Sequence, residues 1–231
     1  MPFGVLVNCG CVLCGGLLGT ALKQVIPQKL NHYLPMAFGC CSIAIGINSI
    51  IKANAMTAVV LAILTGFTLG QLMGLEEKSA RFFGWLVRAL HLGGKDIDME
   101  FYITAVALFC CSGFGWYSTL TEGITGDPSL LLSKSVLDFF TAVVFAASLG
   151  LSICAIPLPQ VVILLGVFGA GRVLAPLLTP AMFADLSACG GILTMAAGLR
   201  VSKIKVIPLV DMMPALILVM PCSALWTAVM G

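Results

Sequence analysis

The sequence predicts an all-α polytopic membrane protein: one transmembrane domain over residues 1–231 with about eight membrane-spanning helices. Three observations predict it. Apolar residues make up 60% of the chain and charged residues 10%, where soluble chains carry about a quarter charged. Mean hydropathy is +1.10. The apolar residues also fall in runs of about 20, the length a helix needs to cross the hydrocarbon of a bilayer. A net charge of +2 without a basic block excludes nucleic acid as a partner, since binding phosphates takes clustered Lys and Arg.

In chain order the spans cover roughly residues 4–22, 33–51, 56–74, 101–120, 128–153, 158–177, 182–199 and 207–230. Met1-Pro2-Phe3-Gly4 lacks the positive charge of a signal peptide, so the first span is expected to act as its own insertion signal. Between the third and fourth spans, residues 75–100 intersperse Glu76, Glu77, Lys78, Arg81 and Arg88 with Phe82, Phe83, Trp85, Leu86 and Leu90, an amphipathic pattern suited to a cytoplasmic segment in the membrane interface. Gly123 to Ser129 reads as a turn into the fifth span, with Asp127 as N-cap and Pro128 at the first helical position.

Loop charge sets the orientation. Lys23, Lys29, Lys78, Arg81, Arg88, Lys95, Arg200, Lys203 and Lys205 fall on one side and Lys52 on the other, nine against one, which places both termini outside.

Sliding the sequence by 152 positions lays the first three spans on the last three: Asn8 meets Gln160, Gly19 meets Gly171, Gly39 meets Gly191 and Gly46 meets Gly198. Pro27 and Pro180 close the first helix of each copy one residue out of register. Spans one and six are five crossings apart, so the copies, about 4–74 and 158–230, enter the membrane in opposite directions around two central spans. Inverted-topology repeats are a common plan of secondary transporters, and a duplicated scaffold without a transport path is the alternative. Small residues at Gly15 and Gly19, and at Gly66, Gly70 and Gly74, let helices approach closely, either within the bundle or across a homodimer.

Ionisable residues inside spans are costly and are by default functional candidates. In a helix from Pro128, Lys134 and Asp138 lie about 9 and 15 Å along the axis, Asp138 near the bilayer centre, one turn apart and able to pair. The same face continues through Ala142, Ala146 and Gly150, small residues that leave room for a path. A buried ion pair that only fixes packing is the competing reading. In the last span, Asp211 precedes Met212, Met213 and Pro214, with Pro221 beyond; the prolines free the carbonyls of Val210 and Ile217 for an ion or water. Asp211 reads equally as a surface residue neutralised by Lys203 and Lys205. Asn8 and Gln160 offer amides at matching places in the two copies, either as lining or as bonds across helices. Arg172 and Asp185 read as a surface ion pair.

No enzyme or metal signature is present: H-E-x-x-H, G-x-S-x-G and a phosphate-binding glycine loop are all missing. His32 and His91, the only histidines, fall in predicted loops, and Cys9, Cys11 and Cys14 point to different sides of the first helix, which suits packing. No catalytic residue and no cofactor is expected.

The run Cys111-Ser112-Gly113, Thr119-Leu120-Thr121-Glu122-Gly123, Gly126-Asp127, Ser129, Lys134-Ser135-Val136-Leu137-Asp138 and Ala147-Ser148-Leu149-Gly150 resembles the bacterial inner-membrane family called domain of unknown function 554, YqgA-like. The likeness extends to Leu6-Val7-Asn8, Gly190-Gly191-Ile192-Leu193, Gly198-Leu199 and Met213-Pro214-Ala215-Leu216. The family pattern usually has Asn where this chain has Asp211, and Gln followed by Gly where it has Gln160-Val161. The resemblance implies a polytopic plasma-membrane protein with transport suspected. The expected function is transport of a small solute or ion, with Asp138 as the binding or coupling carboxylate, Lys134 its partner, and Asn8, Gln160 and Asp211 as polar lining. A channel of the same fold and a scaffold for a partner protein are the alternatives.

Overall fold

The computed structural model describes residues 1–23, 28–89, 99–110, 112–202 and 204–230. Among these residues there are ten α-helices and no strand: α1 (Phe3–Ala21), α2 (Gln28–Ile50), α3 (Met56–Met73), α4 (Leu75–Ala89), α5 (Met99–Cys110), α6 (Gly113–Thr125), α7 (Ser129–Leu149), α8 (Pro157–Leu174), α9 (Pro180–Val201) and α10 (Pro214–Met230). Short 3-10 turns occupy Gly150–Ala155, Ala175–Leu177 and Val210–Met212. Seven segments among the described residues are long and apolar enough to cross a membrane. Pro27, His91, Lys95 and Lys203 lie outside the described residues, as does the end of the amphipathic segment beyond Ala89. His32 falls inside α2 rather than in a loop.

The fourth predicted span, 101–120, is not one helix. α5 ends at Cys110, and Ser112 takes extended backbone (φ −72°, ψ 136°) with its Oγ accepting from the N–H of Gly115 at 3.1 Å. Ser112-Gly113-Phe114-Gly115 supplies a capping hydroxyl and two glycines, each about 1 kcal/mol poorer than Ala in a helix. A strong cap and weak helix formers restart the helix inside an apolar run. The turn is shorter than predicted: Gly123 to Thr125 still belong to α6, which Gly126, at φ 77°, closes through a 2.8 Å bond to the Glu122 carbonyl. α7 begins at Ser129 with Pro128, not Asp127, in the N-cap position, while Asp127 Oδ1 accepts from the Ser129 N–H at 3.0 Å. α7 stops at Leu149, short of the predicted 153, because Gly150 takes φ 57°.

The chain divides into two compact units. The first comprises Met1–Leu34 and Ser79–Ala175, the second Pro35–Lys78 and Pro176–Gly231, and each takes helices from both predicted repeat copies.

In the first unit, α1 buries Val5, Asn8, Val12, Gly15 and Gly19 and exposes Leu6, Leu13 and Leu17. Cys9, Cys11 and Cys14 are respectively buried, half-buried and exposed, so they do not converge. A Cβ on Gly15 or Gly19 would strike the carbonyl of Phe139 or Val143 and the methyl of Ala142 or Ala146 on α7. This corrects the reading of Ala142, Ala146 and Gly150 as the wall of a path. Ala142 and Ala146 are consumed in a close helix contact, and Gly150 lies beyond the end of the helix. Val12, Tyr102, Phe109, Ala142, Leu149 and Ile153 belong to the apolar core of this unit.

In the second unit, α9 is enclosed along most of its length. Gly39 abuts the carbonyl of Gly198, and Gly46 that of Gly191, so α2 and α9 cross with little between their backbones. Gly66 and Gly70 of α3 meet the backbones of Ala215 and Asp211. Gly15 and Gly19 of α1 and Gly66 and Gly70 of α3 are thus packed within the chain, while a Cβ on Gly74 would meet nothing.

Candidate functional site

Four of the five predicted site residues meet in the first unit. Lys134 and Asp138, one turn apart on α7, form an ion pair through Asp138 Oδ2. The same oxygen accepts from Asn8 Nδ2 of α1 at 2.8 Å, and Asn8 Oδ1 accepts from Gln160 Nε2 of α8 at 2.8 Å. Gln160, Asn8, Asp138 and Lys134 therefore form one continuous chain across three helices. Asn8 and Gln160 are completely buried, Lys134 is 2% exposed and Asp138 9%. Charges so enclosed persist only when paired and hydrogen-bonded, because desolvation costs several kcal/mol per ion.

The broken helix contributes backbone to this place. Gln160 Nε2 also approaches the Phe109 carbonyl at 3.5 Å, and Trp116 Nε1 donates to that of Cys110 at 3.0 Å. Both carbonyls belong to the last turn of α5.

One further carboxylate belongs here. Glu122 of α6 is 1% exposed; its Oε1 accepts from the Gly4 N–H at 2.8 Å, while Oε2 has no hydrogen-bond partner. Gly4 lies in the first turn of α1, where N–H groups lack helical acceptors and the helix dipole favours an anion. A Cβ on Gly4 would come within 2.6 Å of Glu122 Oε2, so glycine is what admits the carboxylate. On α6, Gly115 sits against the Lys134 side chain, and its neighbours on that face one and two turns on are Thr119 and Glu122. The hydroxyls of Thr119 and Thr121 and the Gln160 Oε1 are also buried without a partner. The predicted fourth span ends at residue 120, whereas α6 continues to Thr125 and carries Glu122. The signal was available in Glu122-Gly123, directly ahead of the turn.

Asp211 takes a different role, in the second unit. Its Oδ2 accepts from Gln71 Nε2 at 2.5 Å and its Oδ1 from the Glu76 N–H at 2.8 Å. Glu76 in turn pairs with Arg200 at 2.6 Å and accepts from the Val210 N–H at 2.9 Å. The Val210 carbonyl, expected to be free, accepts from the Met213 N–H at 3.1 Å. Asp211 is 3% exposed, which corrects its alternative placement at the surface beside Lys203 and Lys205.

Asp185 is likewise no surface residue. It is completely buried, and it accepts from the N–H groups of Asn54 and Ala55 at 2.8 and 2.7 Å and from Ser223 Oγ at 2.6 Å, while Arg172 is exposed. Asp185 and Asp211 thus fasten helix ends, and both oxygens of each carboxylate are satisfied. Glu122 keeps an unsatisfied oxygen.

Comparison with known proteins fits this membrane-embedded arrangement. The "Uncharacterized protein YqgA" of Escherichia coli is 41% identical over 99% of both chains, and the "Uncharacterized membrane protein YdfK" of Bacillus subtilis is 26% identical over 94% of this chain and 93% of its own. No solved structure matches the chain. The family model "Protein of unknown function (DUF554)" matches residues 3–224, and with that coverage and the 41% identity to a full-length relative, this multi-helix membrane protein belongs to the DUF554 family.

Proposed function

We propose that the protein transports a small solute or ion across the bacterial inner membrane, on an inverted repeat of spans 1–3 and 6–8, with both termini outside and without an enzymatic step. The observation that carries this reading is the chain Gln160, Asn8, Asp138 and Lys134 beside the helix break at Ser112. Ionisable groups buried among helices, next to interrupted backbone, are how transporters build sites at mid-membrane.

The repeat is supported by reciprocal contacts. The residues related by the 152-residue shift, Asn8 and Gln160, bond to each other. Gly39 touches Gly198, and the counterparts of these two under the same shift, Gly191 and Gly46, also touch. A two-fold relation between copies makes contacts occur in such exchanged pairs.

The test is flux into proteoliposomes against a panel of ions and small acids, for wild type and for Asp138→Asn. Saturable flux lost in the variant supports the proposal. Large unitary currents would make the fold a channel, and no flux for any member would leave a scaffold.

A further inference from the structure

We propose that the first unit binds one dehydrated monovalent cation at Glu122 Oε2, on the α6 face that also carries Thr119. This deepens the transport reading by naming the class of the transported or coupling species.

The argument begins with charge. Among the described residues of this unit, the buried ionisable side chains of fixed sign are Glu122, Asp138 and Lys134. Lys134 is engaged by Asp138, which leaves Glu122 as one negative charge over. The Gly4 N–H meets Oε1, but a helix N-terminus supplies only about half a charge and does not reach Oε2. With Glu122 as a carboxylate, these described side chains carry one more negative than positive charge.

The unsatisfied atoms have the same bias. As a carboxylate oxygen Glu122 Oε2, like the amide Gln160 Oε1, can only accept, and the Thr119 and Thr121 hydroxyls offer lone pairs as well as a donor. Serine and threonine hydroxyls inside helices normally turn back to the carbonyl four residues earlier, as Ser118, Thr125, Ser135 and Thr194 do here. Thr119, completely buried, does not.

Position links these atoms. Gly4, bonded to Glu122, and Asn8, bonded to Asp138, are one turn apart on α1, about 6 Å. On α6, Gly115 lies against Lys134 and Glu122 against Gly4, so Thr119 sits between the level of Glu122 and that of the Lys134 and Asp138 pair. A small cation is what a buried carboxylate with one unpartnered oxygen, on the same helix face as an unpartnered hydroxyl, lacks. A divalent ion would over-compensate it, and among the described residues no three His, Cys, Asp or Glu side chains converge to hold one.

The experiment is a thermal-unfolding titration of the purified full chain in detergent with LiCl, NaCl, KCl and NH4Cl, against N-methylglucamine chloride at constant ionic strength. At least one of the four should raise Tm saturably, by about 3 °C or more at tenfold its half-saturating concentration. Glu122→Gln should abolish that rise, and Thr119→Val, which exchanges the hydroxyl for a methyl group, should move half-saturation upward by about tenfold. If Glu122→Gln does not fold, Thr119→Val alone decides. Absence of any cation-specific rise, or an unchanged titration in Thr119→Val together with a normal rise in any folded Glu122→Gln, overturns the assignment. Because the titration needs no flux, a saturable rise without transport would refute transport and leave the cation site standing.

Discussion

Replacing Lys134 and Asp138 singly and together separates a functional pair from a packing device. Lys134→Met leaves the Asp138 carboxylate, whose side chain is 13% exposed, with Asn8 Nδ2 as its remaining described donor. Asp138→Leu strands the Lys134 ammonium, whose side chain is 3% exposed, and also deprives Asn8 of its acceptor. Removing one member of a buried pair costs about 3–5 kcal/mol. An orphaned amide donor adds about 1–3 kcal/mol. The double change Lys134→Met with Asp138→Leu removes both charges and keeps only the Asn8 penalty, so it should be less harmful than either single. Lys134→Met with Asp138→Asn should be milder still, because the new amide oxygen can accept from Asn8.

A double-mutant cycle on unfolding in detergent should therefore give a coupling of at least about 3 kcal/mol. Flux is the second readout: both doubles should insert and fold yet fail to transport. Additive single effects would refute the pairing argument. A double variant that transports like wild type would make the pair structural and move the site to Glu122 and its neighbours.

Three other perturbations probe the rest of the molecule. Gly70→Leu drives a side chain into the backbone of Asp211, so it should lower Tm by several degrees while leaving the oligomeric state unchanged. Asp185→Ala unfastens the N–H groups of Asn54 and Ala55 and the Ser223 hydroxyl; the loss should be about 2–4 kcal/mol by denaturant unfolding, and a cost under about 0.5 kcal/mol would show that water replaces the carboxylate. Cysteines placed after Met1 and before Gly231 in a cysteine-light variant should both react with an impermeant reagent from outside, and opposite accessibility would remove the even number of crossings on which the inverted repeat depends.

Much of this was legible in the chain because the signals are local or periodic. Lys134 and Asp138 are four apart in a helix, which by geometry alone makes them neighbours. Asn8 and Gln160, matched by self-similarity at a shift of 152, bond to each other in the structure. The break at Ser112 was not legible to hydropathy, since averaging over about 19 residues hides a single cap. Its chemistry was nonetheless written in Ser112-Gly113-Phe114-Gly115. Asp185 was misplaced for a related reason: proximity to a predicted span end suggested the surface, whereas its partners are backbone N–H groups more than 100 residues away.

The carboxylates show why sequence depth alone is a poor guide to a site. Asp138, Glu122, Asp185 and Asp211 are all at least nine-tenths buried, so burial does not rank them. Their partners do. Asp185 and Asp211 receive donors on both oxygens from helix termini and from Ser223 or Gln71, and a satisfied carboxylate of that kind has nothing left with which to hold a ligand. Asp138 shares one oxygen between an amide and an ammonium, and Glu122 leaves one oxygen with no donor, an arrangement whose desolvation cost goes unrecovered unless something else comes to it. Accounting for donors, rather than locating charges along the chain, separates the two residues that fasten helix ends from the two on which the proposed function rests.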